Sequence, residues 1–384
     1  MIQAIFSLLL IWLPLFKLSW YGGWFARVPQ CWLWVSGIIF LFALSQKNIW
    51  MKLFLIYCLG IAIYYDFILG NSFQTANGKN IIIRDFIINK SLFTIGTICL
   101  IFWLIEYVQK MNTDWLKICI LYSGFLVLYF WIFNDFTVTW NGMLFKENKW
   151  IAGAYLAFSI PLMMGLSKNK LLNYISVVIL FIGVLYTKST MALLASLAGI
   201  IFYFIALKEN KESFILLCSM GLIGIIFIPK VFKTRDIKKI YSIITENSYR
   251  KELWEKSFFY KKEVNRKPTD KRTLLDIAIG TGLRSYPAYD FLEGSDTLTT
   301  HAHNEFLEVW CELGIIGLSI VIGFIVSLYL IQCPIEYKAA LTAVIVHCMG
   351  YYPARLASTG LLIIIIIGSI LKYKNKGECS HGQV

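Results

Sequence analysis

Charge is scarce in this chain. Of 384 residues only 15% are Asp, Glu, Lys or Arg, against 58% apolar, and the mean hydropathy is +0.65. So little polar surface cannot clothe a soluble protein of this length, which excludes a water-soluble enzyme. Metal and redox signals are thin as well. There are four histidines, and the nine cysteines form no C-x-x-C pair. Cys58, Cys99, Cys119, Cys218 and Cys348 lie inside apolar runs, and Cys31, Cys311 and Cys333 at the ends of such runs. They read as small apolar fillers. The net charge of +13 is spread over short loops and is not collected in a soluble domain, so it points to lipid headgroups and membrane orientation, not to nucleic acid.

Long apolar runs are plentiful. A bilayer span needs about 20 mostly apolar residues. Twelve candidates lie near 2–19, 29–45, 51–69, 87–107, 115–134, 149–166, 171–187, 189–207, 213–229, 312–332, 337–351 and 357–372. Only Lys188 divides 171–187 from 189–207, so that pair is either one broken helix or a tight hairpin, and the count is ten to twelve. The first run is interrupted by Lys17 and no small-residue cleavage site follows it, which favours an uncleaved span over a signal peptide. The fold class is therefore an all-α polytopic membrane protein, read as a single integral membrane domain over 1–384. With a cytoplasmic N-terminus, twelve lysines face the cytoplasm, against nine Lys or Arg on the short outer segments. Segment 230–303 then lies outside the cytoplasmic membrane, as a large periplasmic loop.

That loop of 74 residues carries fifteen Lys or Arg and ten Asp or Glu. Within it, 247–262 places Tyr249, Leu253, Trp254, Ser257 and Phe258 at helical spacing with charges opposite. The spacing predicts an amphipathic helix on the membrane or the bundle. Gly280-Thr281-Gly282 and Ser285-Tyr286-Pro287 mark turns. At the end of the loop come His301 and His303, followed by an apolar run. The pattern predicts a helix from His303 into the tenth span, with His303, Leu307, Trp310 and Gly314 on one stripe and Glu305, Glu308 and Glu312 on another. Glu305 and Glu308 read either as a solvated helix start or as part of a site. The H-x-H pair lacks a placed third metal ligand. His347, inside span 337–351, reads either as a functional group or as a neutral histidine bonded inside the bundle.

His303-Asn304, nine residues, Gly314, two residues and Gly317 resemble the pattern of the O-antigen ligase and polymerase superfamily of bacterial envelope glycosyltransferases. Further pieces are similar in the same order: Gly142 to Asn148 followed by Ala152 and Pro161, then Arg250-Lys251-Glu252-Leu253-Trp254 as an R-x-x-L-W, Ile279-Gly280-Thr281-Gly282 as a G-x-G, and Glu312-Leu313-Gly314 as a Glu-x-Gly. The resemblance covers about 140–335. It departs from the family at the usual Ser-Arg pair, where Thr190 stands in place of the arginine and Lys188 offers a charge without forked geometry.

The resemblance implies a GT-C-like architecture. It also implies a metal-independent, inverting transferase, without cofactor, that moves a glycan from undecaprenyl diphosphate to an acceptor hydroxyl at the periplasmic face of the inner membrane. The acceptor would be lipid A-core or a growing glycan. It casts His303 as the base, with an ordinary pKa of about 6.5, and Arg250 as the cation on the departing diphosphate. Arg284, Lys188, Arg355, Asn304 and Glu312 are the further substrate contacts. A transporter or flippase for lipid-linked glycans is the competing class, though the halves show no repeat.

Overall fold

A computed structural model describes residues 40–65, 83–132, 149–207, 254, 257–264, 267–283, 302–355 and 357–380. In chain order its elements are α1 (Ile49–Ile63), α2 (Ile83–Val108), α3 (Thr113–Ile132), α4 (Lys149–Met163), α5 (Lys170–Thr187), α6 (Thr190–Leu207), strands β1 (Tyr260–Val264) and β2 (Lys267–Lys271), α7 (Leu274–Ile279), α8 (Glu305–Leu330), α9 (Ile335–Cys348), a 3-10 turn (Pro353–Arg355) and α10 (Ala357–Ser380). They fall into two compact units. One comprises Met1–Tyr21, Leu104–Glu246 and Leu328–Val384, the other Gly22–Trp103 and Asn247–Ser327.

The first unit is built around α4. Its sequence is apolar on every face, and Ala152, Ala154, Tyr155, Leu156, Ala157, Phe158 and Ile160 are all fully buried among α3, α5, α6, α9 and α10. A helix apolar all round belongs inside a bundle. Small residues let the neighbours approach. A Cβ on Gly153 would meet Ala192 Cβ at 2.8 Å, and one on Gly199 would lie 2.9 Å from the Ala339 carbonyl oxygen, so α6 rides close to both α4 and α9. The break between α5 and α6 is explained by Lys188. It caps α5 in the left-handed region (φ 54°, ψ 24°), where its N–H returns to Leu185 O, and α6 starts two residues later. At one end of this unit Lys117 Nζ donates to Glu336 Oε1 at 2.8 Å and to Gly165 O at 2.7 Å, both side chains being buried.

The second unit gathers α1, most of α2 and α8, the hairpin and α7. Asn48 caps α1, its Oδ1 accepting from Trp50 N and Met51 N. Below that cap Cys58, Leu59, Ile61, Ala62 and Tyr65 pack on Ile95, Leu283 and Leu313 as a shared core. Thr273 and Asp276 cap α7 reciprocally, side chain to backbone in both directions, in a capping box.

The helical class holds for the frame, two expectations change, and one element is added to it: β1 and β2 pair antiparallel with two irregularities of register. Their residues are too charged to enter a bundle, and pairing the strands meets their backbone hydrogen bonds outside it. For the same reason the amphipathic helix expected over 247–262 does not reach its end. The backbone is helical at 257–259 and turns to strand at Tyr260, while 247–253 lies outside the described residues. The continuous stripe from His303 to Gly314 also fails. α8 begins only at Glu305 and is broken at Gly314.

Among the described residues two helices, Lys170–Thr187 and Glu305–Leu330, are long and apolar enough to cross a membrane, or three if Thr94–Val108 and Thr113–Leu126, bent by 118°, count as one span. These apolar helices are those of a membrane protein.

Candidate functional site

The site region starts with the break in α8. At Gly314 (φ 63°, ψ −167°) the helix stops and restarts, so the carbonyls just before it lose their partners one turn ahead. In an apolar setting each unmet carbonyl costs several kcal/mol. All three are met from elsewhere. Cys311 O accepts from Thr281 N at 3.0 Å, from Thr281 Oγ1 at 2.9 Å and from Arg272 Nη1 at 3.4 Å. Glu312 O accepts from Gly282 N at 3.0 Å, and Leu313 O from Tyr57 OH at 2.7 Å.

The G-x-G turn is thus the partner of the Glu-x-Gly break. Gly280 (φ 80°) lies so close to α8 that a Cβ on it would sit 2.3 Å from Glu312 O, and Tyr65 OH donates to Gly280 O at 2.6 Å. Positive φ and backbone-on-backbone approach both require glycine.

Arg272, nearly buried, ties a second segment to the same place. Its Nε and Nη2 donate to Ser257 O at 3.3 and 3.1 Å, while Nη1 reaches Cys311 O. Beside this clamp, Phe258 stacks on Trp310 with ring centroids 4.9 Å apart and planes 3° from parallel.

His303 stands at the other end of this short helical stretch. Its backbone is left-handed (φ 53°), a conformation that non-glycine residues seldom take. Both flanks are fixed. On one side Ala302 is fully buried, its N–H donating to Glu308 Oε1 at 2.8 Å and its carbonyl accepting from Trp254 Nε1 at 2.8 Å. On the other, Asn304 caps α8, its Oδ1 accepting from Leu307 N at 3.1 Å and its carbonyl from Glu308 N at 3.0 Å. The imidazole Nδ1 is shielded from solvent and the residue as a whole half-buried.

The expected site residues are only partly brought together. His303, Asn304 and Glu312 share the second unit, with Glu312 buried at the break. Lys188 is exposed at the α5–α6 turn, and Arg355 closes the 3-10 turn; both belong to the first unit. Arg250, Arg284 and His301 lie outside the described residues. Glu308 does not sit in a solvated helix start. It is fully buried and bonded to the backbone. His347 is also fully buried, edge-on to Phe158 at 5.5 Å and to Tyr351 at 5.7 Å between ring centroids. Nothing in the sequence pattern assigns this role to Arg272, Thr281, Trp254 or Tyr57. The Thr273-x-x-Asp276 capping signature beside Arg272 was readable, but a carbonyl bond across forty residues leaves no trace in sequence.

Residues 175–322 match the family model of O-antigen ligase. This stretch contains most of α5, all of α6, the hairpin, α7, His303 and the Gly314 break, whereas Tyr57 and Tyr65, which bond to the break and its turn, precede it. The match supports the O-antigen ligase and polymerase superfamily, and with it a glycosyltransferase-like enzyme of the membrane. It lends nothing to the transporter alternative. No curated protein matches the chain.

Proposed function

We propose that this protein transfers a glycan from undecaprenyl diphosphate to an acceptor hydroxyl at the periplasmic face of the inner membrane, as a ligase or polymerase of surface polysaccharide. His303 accepts the proton of the acceptor hydroxyl as its oxygen attacks the anomeric carbon. The bond from that carbon to the diphosphate oxygen breaks in the same displacement, which inverts the anomeric centre. The departing undecaprenyl diphosphate takes the electron pair, and Arg250, with forked and permanently charged donors, neutralises it. Arg284, Lys188 and Arg355 supply further positive charge to the donor. Asn304, its Oδ1 engaged by the cap, offers its amide N–H groups to the substrate, and Glu312 orients the site from the break in α8. The chemistry uses no metal and no cofactor. The acceptor is lipid A-core or the growing glycan.

The observation that carries this reading is the left-handed His303, held from both sides within a stretch that matches O-antigen ligase. Strain of this kind persists where the surroundings over-determine it, and a general base needs a fixed approach to its substrate. The test is a His303→Ala substitution in the native host with membrane level measured. Surface glycan should be lost or shortened at unchanged protein level. Unchanged glycan length and attachment would sink the assignment.

A further inference from the structure

We propose that Glu308 is a positioning residue for His303, acting through the Ala302 backbone, and that Trp254 completes the device from the opposite side. The inference rests on the reading of His303 as the base.

A carboxylate with no solvent exposure is costly unless its oxygens find donors. Glu308 is fully buried, and its Oε1 accepts from the N–H of Ala302, six residues back and next to His303. Trp254 Nε1 donates to the Ala302 carbonyl, which belongs to the peptide plane leading into His303. Two successive peptide planes are therefore pinned, one by Glu308 and one by an indole. After His303, the Asn304 cap fixes the start of α8. Together these bonds leave the His303 backbone little room to leave its left-handed well, which an unrestrained histidine would vacate for a lower one. Glu308 serves a different purpose from an ordinary helix-start acid. It is one turn into α8 and reaches backwards past the N-cap.

The geometry also explains the choice of residue. Aspartate is one methylene shorter, and an apolar side chain would leave the buried Ala302 N–H without its acceptor. Glutamine keeps an acceptor oxygen at the same reach.

The experiment uses the full chain in native-host membranes, with lipid-linked glycan extracted from that host as donor and varied in concentration. Glu308→Ala should lower kcat by roughly tenfold to hundredfold, the scale of a misplaced catalytic group, with donor KM little changed. Glu308→Gln should recover most of the rate. His303→Ala, run alongside, separates the two claims. If it retains full activity, the reading of His303 fails. If it is inactive while Glu308→Ala keeps the wild-type kcat, the positioning role alone fails. A fall in Glu308→Ala that merely follows the amount of folded protein, or that raises KM as much as it lowers kcat, also overturns it. Should Glu308→Ala not accumulate, Trp254→Phe removes the other bond to Ala302 while keeping an aromatic side chain there, and it should show the same selective loss in kcat. Wild-type kcat in that variant would count against the device.

Discussion

Gly280 and Gly314 meet backbone to backbone. A Cβ on Gly314 would lie 2.5 Å from Gly280 N, and one on Gly280 would lie 2.3 Å from the carbonyl oxygen of Glu312, two residues before the break. Both residues have positive φ, 80° and 63°. The turn and the broken helix are therefore one structure, and the break positions the stretch that leads back to His303.

Alanine at either position forces these backbones apart and into a disfavoured conformation. Gly280→Ala and Gly314→Ala should each destabilise the protein by roughly 3 kcal/mol, from strain plus overpacking. Gly60→Ala and Gly96→Ala are the controls. They are helical with nothing within 4 Å of an added Cβ, so they should be neutral or stabilising by up to about 1 kcal/mol. Thermal unfolding in detergent, compared across the four variants, checks the contrast.

Lys117 and Glu336 form a buried pair at 2.8 Å, with side chains 6% and 10% exposed, and Gly165 O shares the ammonium. Removing one partner strands the other charge. Lys117→Met or Glu336→Leu alone should cost about 3–5 kcal/mol, whereas the double substitution should recover much of that loss. A double-mutant cycle measured by denaturation in mixed micelles reads the coupling.

Lys188 separates its two readings by a single change. Glycine at this position removes the charge and relieves a left-handed backbone, so Lys188→Gly should raise stability by up to about 1 kcal/mol. If the ammonium assists the donor diphosphate, transfer falls while the melting temperature rises. Unchanged transfer would remove Lys188 from the site.

Much of the helical frame was legible because apolar runs and caps are local signals. The expected runs 149–166, 171–187 and 189–207 lie within a few residues of α4, α5 and α6, and the Lys188 division is a real break. The break at Gly314 was not legible. Glu305 to Leu330 reads as one periodic helix, an isolated glycine is tolerated in such a pattern, and only the approach of Gly280 makes it a kink. The hairpin was hidden for a different reason. Tyr260–Val264 alternates no apolar face, so nothing in its period distinguishes a strand from a solvated helix end. For the site itself, His303 was marked by its motif and its rarity. Its supports were not, since Trp254 reaches Ala302 and Arg272 reaches Cys311 only once the loop is folded.

Whether His303 is the base of a glycan transfer from a lipid-linked donor is decided by purified protein given glycan-linked undecaprenyl diphosphate, with and without a lipid A-type acceptor. The wild-type protein should extend the glycan on its carrier or transfer it once the acceptor is added. His303→Ala, equally stable in detergent, should be slower by about a hundredfold or more. Equal rates for the two proteins would rule out His303 as the base.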